Sequence, residues 1–278
     1  MLGIILTSIG TFFEEISDTI GKNKVLHHEE GTYTMAFLTF FWGTIIFLFI
    51  AVFNANAFVF VRESVPTFIL RMILEVVQIY VTIRAIIEAD RSTFTFMRSL
   101  TIPLLLGMDI LLGYQIGYTA IIGMTIIVLA LIISFSGRSM EKKGLSLVIF
   151  SAINSVFTIS LFKYNITHYN SIVAEQVISN LILLVIFFFL ALYKTKENPI
   201  MFLTKPAFFL QSAFIGIGGT LESFAFGFGS ASVITAAKRS SSILWALVSG
   251  KMYFKEQHII FKMFIFLLIF TGLIFLAT

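Results

Sequence analysis

The chain is built almost entirely from apolar stretches as long as a bilayer is thick, and this governs every fold open to it. A helix needs about 20 mainly apolar residues to cross ~30 Å of hydrocarbon. Ten such segments fit, over residues 2–20, 33–53, 66–87, 92–112, 117–135, 144–163, 170–193, 206–228, 231–254 and 258–277. Hydrophobic residues make up 58% of the chain and charged residues 12%. A soluble domain has about half and about a quarter, so this supply cannot coat a water-facing surface. The fold class expected is an all-α integral membrane protein with ten transmembrane helices.

The short connections leave no room for a soluble catalytic domain, and no glycine-rich phosphate loop is present. ATP-driven pumping within the chain is therefore not expected, nor is any cofactor. Cysteine is absent, which excludes thiolate chemistry and thiolate metal ligation. The first segment lacks the basic start of a cleavable signal and carries Glu14, Glu15 and Asp18 near its far end, so it is expected to remain as a working helix. The net charge of +4 sits mainly in loops such as Arg138, Lys142, Lys143, Lys194, Lys196 and Lys205. Lipid headgroups explain it better than nucleic acid.

The chain also matches itself at a constant offset of 141: Gly3 with Gly144, Lys22 with Lys163, His27 with His168, Phe47 with Phe188, and Phe68 with Phe209. The same register pairs Arg98 with Arg239, Ser99 with Ser240, Ile102 with Ile243 and Leu106 with Leu247. Two five-helix repeats are expected, residues 1–137 and 138–278. Five is odd, so the second copy must enter the bilayer inverted. Inverted repeats give many secondary transporters two near-equivalent conformations around a midplane site.

The stretch from Ser232 through Lys238-Arg239, Trp245 and Gly250-Lys251 to Glu256, followed by an apolar helix to Thr278, resembles the closing segment of EamA-type carriers of the drug/metabolite transporter superfamily. A weaker version runs from Ala85 through Pro103, Leu111-Leu112-Gly113 and Gly123 to Ile133. Ser17-Asp18-Thr19-Ile20-Gly21-Lys22 and Phe157 to Lys163 are similar to the family's first and sixth helices. Two departures stand out: Gly113-Tyr114-Gln115 replaces the family's usual Gly-Glu, and no glycine adjoins Glu256. The resemblance implies a ten-helix bundle whose central cavity is lined by helices one, three, four, six, eight and nine. Family members move amino acids, nucleotide-type metabolites, sugars or drugs.

Ionisable groups at bilayer depth cost several kcal/mol, from ~2.5 to over 10, and therefore face a cavity or a partner. Glu14, Asp18 and Lys22 share one helical face, with Asp18 able to reach Lys22. They form either a gate or proton site near one mouth, or an interfacial cluster snorkelling to water. Arg71, Glu75 and Gln78 lie along one stripe. Arg71 and Glu75 form either a self-neutralising structural pair or a site where Glu75 carries a proton and Arg71 is released to substrate.

Lys238 and Arg239 cannot both be idle in lipid. A substrate carboxylate or phosphate would satisfy one, and Glu222 the other. Trp245, seven residues from Lys238, lies on a similar face. For Arg98 and its repeat mate Arg239, structural pairing and ligand contact are both open; Lys238 is assigned to the cavity. Asn154 is a further candidate, with Gln176 and Asn180, whereas Glu175 at a helix start is expected to be solvated. Ser212, Gly216, Gly218, Gly219, Ser223, Gly227 and Gly229 are read as close helix packing, with a flexible gating helix as the alternative.

Loop Lys and Arg concentrate on one side, from Lys22, Lys24 and Arg91 to Lys251 and Lys255. The positive-inside rule then puts both termini outside, opposite to the orientation the resemblance implies. The function expected is a secondary active transporter, an exporter or exchanger, in the plasma (inner) membrane of a prokaryote. Its cargo would be a small polar or anionic metabolite such as an amino acid, driven either by coupled protons or by the substrate's own gradient. The alternatives are a non-transporting scaffold or receptor, or a lipid-modifying membrane enzyme, although His27, His28, His168 and His258 all fall near loops.

Overall fold

The computed structural model describes residues 2–111, 118–136, 143–255 and 259–277. The motif residues Leu112, Gly113, Tyr114, Gln115 and Glu256, the loop cations Arg138 and Lys142, and His258 lie outside them. Twelve α-helices follow in order among the described residues: α1 (Leu2–Leu26), α2 (Thr32–Phe53), α3 (Val65–Glu88), α4 (Arg91–Arg98), α5 (Thr101–Leu111), α6 (Tyr118–Ser136), α7 (Leu145–His168), α8 (Ile172–Leu190), α9 (Pro199–Phe202), α10 (Pro206–Ala225), α11 (Ala231–Met252) and α12 (Ile259–Ala277). No strand occurs among the described residues.

Among the described residues, four helical stretches are long and apolar enough to cross a membrane: Thr32–Phe53, Arg91–Leu111, Leu145–His168 and Ile172–Thr195. Helices α1, α3, α10 and α11 reach comparable length, with 25, 24, 20 and 22 residues. Charged side chains lower their hydropathy, as do the glycines, serines and Gln211 of α10. Helices α6 and α12 carry shorter apolar cores, Ile121–Ile133 and Ile260–Gly272.

The fourth expected segment is two helices. Pro103 has no N–H to donate to Ser99 and its ring crowds that carbonyl. The chain instead turns through Ser99 and Leu100, where Leu100 N donates to Met97 O at 3.1 Å and Ile102 N to Ser99 O at 2.9 Å. α1 and α7 run several residues further than their apolar patterns, because polar tails such as Asn23 to Leu26 and Tyr164 to His168 continue the helices beyond the hydrophobic stretch.

Packing is inside-out relative to a soluble protein. Phe49, Ile73, Val185 and Leu267 expose half or more of their surface, while Glu15, Arg71, Arg91 and Glu175 are buried. α1 packs on α10, α3 on α7, α2 on α8 and α6 on α12, while α11 packs against α1, α4 and α5. Glycines set the closest approaches. A Cβ on Gly218 would stand 2.6 Å from Gly10 O, and one on Gly216 2.7 Å from Gly43 N.

Two sets of connections meet at opposite ends. At the first, Gly31 N donates to Glu197 at 3.0 Å, Gln211 Nε2 donates to Glu30 at 3.0 Å, and Lys22 Nζ lies 5.0 Å over the Phe254 ring and donates to the carbonyl of Ala89. Gly144 is also there, at φ +71, with a Cβ position 2.9 Å from Ala89 N, so the backbone conformation and the space both require glycine. At the second end, Ser171 N donates to Val59 O at 2.9 Å and Lys163 Nζ to Phe226 O at 2.8 Å. α1 begins at this second end, where a Cβ on Gly3 would meet Phe228 at 3.2 Å, and finishes at the first. α7 begins beside Ala89 at the first end and finishes at the second.

Lys22 and Arg91, expected as loop cations, are 6% and 1% exposed. Both are committed inside the bundle, so they do not bear on orientation through the surface.

Candidate functional site

A cavity of about 280 Å³ lies among the inward faces of the bundle. Its wall includes Glu14 and Asp18 from α1, Arg71, Glu75 and Gln78 from α3, Arg98 from α4, Glu222 from α10, and Lys238 and Arg239 from α11. Thr39 and Gly43 of α2 and Gln176, Ser179 and Asn180 of α8 also contribute. Two helices outside the expected lining set thus reach the cavity, through short or amide side chains that hydropathy does not flag. Gly219 has no atom within 4 Å of its Cβ position and faces this space. Its role differs from the close packing of Gly216 and Gly218.

Three ionic knots hold the wall. Lys238 Nζ reaches Glu14 Oε2 at 2.9 Å and also contacts Glu222, so two carboxylates share one ammonium. Arg91 donates Nε to Glu15 Oε1 at 3.0 Å and Nη2 to Glu15 Oε2 at 2.6 Å, and Nη2 also reaches Asp18 at 3.1 Å. Ser249 Oγ donates to the same glutamate at 2.6 Å. Arg71 Nη1 meets Glu175 Oε2 at 2.7 Å, Asn170 donates to Oε1 at 3.0 Å, and the guanidinium stacks 4.6 Å from the Phe162 ring centroid.

Several expected partnerships are therefore replaced. Asp18 pairs with Arg91 and not with Lys22, whose ammonium serves the C-terminal carbonyl of α3. Arg71 pairs with Glu175 and not with Glu75. Helical spacing reports which face a residue occupies, and a partner on a neighbouring helix at the right height displaces the i,i+4 neighbour. Glu175 is fully buried, contrary to the solvated position expected for it. Lys238 is held by two carboxylates, and it is Arg239 that has no carboxylate within 4.0 Å among the described residues. Its Nε donates to Thr101 Oγ1 at 3.2 Å.

Two candidates lie off the cavity wall. Asn154 donates to Leu74 O at 3.0 Å and to Gln78 Oε1 at 2.9 Å, which braces Gln78 from behind. Trp245 packs against Phe12 with ring centroids 4.7 Å apart and planes tilted by 60°. Seven residues advance a helix by about 10 Å, enough to carry this ring past the level of Lys238. Glu75 remains, on the same wall as Thr158 and in the fields of Arg71 and Arg98.

The clearest group that sequence reasoning passed over is Arg91 with Glu15. Its only signal was a charge at the edge of an apolar segment, which looks the same for a surface cation. No group of three or more His, Asp or Glu side chains among the described residues has the geometry to hold a metal ion. Chemically, the site offers fixed cations, carboxylates able to take up a proton, and hydroxyl and amide donors in a water-sized space within an apolar bundle. No family model matches the chain, and a search of curated proteins finds no match.

Proposed function

We propose that this chain is a secondary active transporter that carries a small polar or anionic metabolite across the membrane by alternating access. One observation carries the reading: a cavity of about 280 Å³, lined by eight ionisable side chains, inside a bundle whose outer faces are apolar. A structural scaffold gains nothing from the desolvation of so many charges. The volume lies just below the ~300–1,000 Å³ typical of ligand pockets, which favours a small metabolite over a bulky drug.

The ten-span, two-repeat arrangement implied by the resemblance to EamA-type carriers belongs to this proposal. It is supported by the opposite senses of α1 and α7, and by the pairing of α1 with α10 as α7 pairs with α3. Lys22 and Lys163, 141 residues apart, each donate to the carbonyl just beyond a helix of the same proposed repeat, Ala89 after α3 and Phe226 after α10. A lysine there satisfies a helix-end acceptor and complements the helix dipole. Such a scaffold can rock between two near-equivalent states. A proton is the natural coupling ion, since Glu14 and Glu222 face a single ammonium and Glu75 has no ion-pair partner among the described residues.

The test is reconstitution into liposomes with uptake of candidate metabolites measured with and without a pH gradient. A carrier gives saturable, vectorial flux that falls sharply in Glu75→Gln and Lys238→Ala proteins that remain folded. Flux unchanged in both variants would remove this site assignment, and absence of saturable flux for polar and anionic metabolites would remove the carrier reading.

A further inference from the structure

Within the cavity, we infer that Arg98 and Arg239 together form an anion subsite, and that the cargo is a small solute bearing a carboxylate or phosphate held by both guanidiniums. The assignment rests on the carrier reading for its physiological meaning.

Buried cations are stable only when paired, and the other cations in and beside this wall are. Arg71 has Glu175, Arg91 has Glu15 and Asp18, and Lys238 has Glu14 and Glu222. Arg98 and Arg239 have no carboxylate within 4.0 Å among the described residues. Arg239 is 3% exposed and ties only its Nε, to Thr101, leaving the rest of the fork to the cavity side. Arg98 lies 5.4 Å from the Phe94 ring centroid, and its buried Nε has no hydrogen-bond partner. Guanidinium forks match carboxylate and phosphate oxygens in pairs, so both side chains lack the kind of group that a small acid supplies.

The two arginines also occupy equivalent positions in the repeat, each followed by a serine, Ser99 and Ser240. Each half thus delivers one guanidinium to the same cavity, an arrangement that would present an anion alike to both sides of a rocking bundle. The lining carboxylates do not fill the place: Glu14 and Glu222 are tied to Lys238 and Asp18 to Arg91. Glu75 is the remaining one, on the same wall in the field of Arg98. It is the internal competitor of the cargo.

The experiment is thermal unfolding of the purified full chain in a neutral detergent, titrated with succinate, glutamate or phosphate. Glucose and choline at matched ionic strength serve as controls. At least one of the three anions should raise Tm saturably while the controls do not. Arg98→Gln and Arg239→Gln should each weaken the apparent affinity roughly tenfold or more, as expected for loss of a charge-assisted bond, and Glu75→Gln should tighten it. Without anion, neither arginine variant should lower Tm, because neither breaks an ion pair, whereas Arg71→Met should.

The inference fails if none of the three anions stabilises the wild type, or if the arginine variants lower the anion-free Tm as much as Arg71→Met does. It also fails if only phosphatidylglycerol in mixed micelles stabilises the protein, which would make this a headgroup site. Anion binding through both arginines without liposome flux would defeat the carrier reading and leave the subsite standing. Flux of a neutral or cationic solute, unaffected by the arginine variants, would do the reverse.

Discussion

Replacing Arg91 by methionine should be among the most damaging single changes in the bundle. Its guanidinium is 1% exposed and makes two bonds to Glu15, at 3.0 and 2.6 Å, and one to Asp18 at 3.1 Å. Removing it leaves Glu15, 7% exposed at its side chain, as a buried carboxylate with another beside it. Breaking one side of a buried pair costs about 3–5 kcal/mol, mostly because the orphaned charge stays desolvated. Two features of the site place the cost near the lower bound: Asp18 is 21% exposed and can turn toward water, and Ser249 still donates to Glu15 at 2.6 Å. About 3 kcal/mol corresponds to a Tm lower by about 6–12 °C on the scale of soluble domains. Thermal unfolding in detergent of Arg91→Met, and of Arg91→Met with Glu15→Gln, reads both the loss and its origin. The second change removes the orphaned charge and should restore more than half of the lost stability. A fall below about 1 kcal/mol in the single variant, or no recovery in the double, would refute the reasoning.

Glu30, in the connection between α1 and α2, is pushed up to about 8 from the usual 4.5 by burial, with the Gln211 hydrogen bond opposing and Glu197 adding to the rise. Between these pH values the folded chain holds a proton that the unfolded chain has released, so this contribution is complete below about 4.5 and is lost as pH rises toward about 8. Glu30→Gln should therefore reduce the fall in Tm between pH 5 and pH 8, and an identical fall in variant and wild type would contradict this. A Gly218→Val side chain would begin 2.6 Å from Gly10 O and 2.7 Å from Glu14 Cγ, and should destabilise by at least about 1–3 kcal/mol. Gly219→Ala meets open space and should fold normally while narrowing the cavity and slowing flux. Trp245→Phe, remote from the cavity wall, should leave anion titrations unchanged to within about twofold; a larger change would restore the tryptophan to the site.

The apolar segments made the helical class legible, and the inward stripe of Glu14, Asp18, Arg71, Glu75, Lys238 and Arg239 was readable because charge at bilayer depth has few places to go. Pairing was not. Glu175 meets Arg71 across 104 positions of sequence, and no periodicity within one helix encodes the height at which two helices cross. Burial of Arg91 was hidden for a related reason, since a cation at the edge of an apolar stretch is written identically whether it turns to water or to Glu15. The break between α4 and α5 was not anticipated, although Pro103 carries its signal, and the cavity-facing role of Gly219 depends on neighbours that only the packed bundle supplies.

Alternating exposure of the cavity is the central claim, and the chain's lack of cysteine makes it directly measurable. Single cysteines at Thr39 and Ser179, both on the cavity wall, would be labelled in oriented vesicles with a membrane-impermeant thiol reagent added from either side. Each position should react from both sides, and cargo anion or a pH gradient should shift reactivity from one side toward the other. Labelling confined to one side under every condition would contradict it.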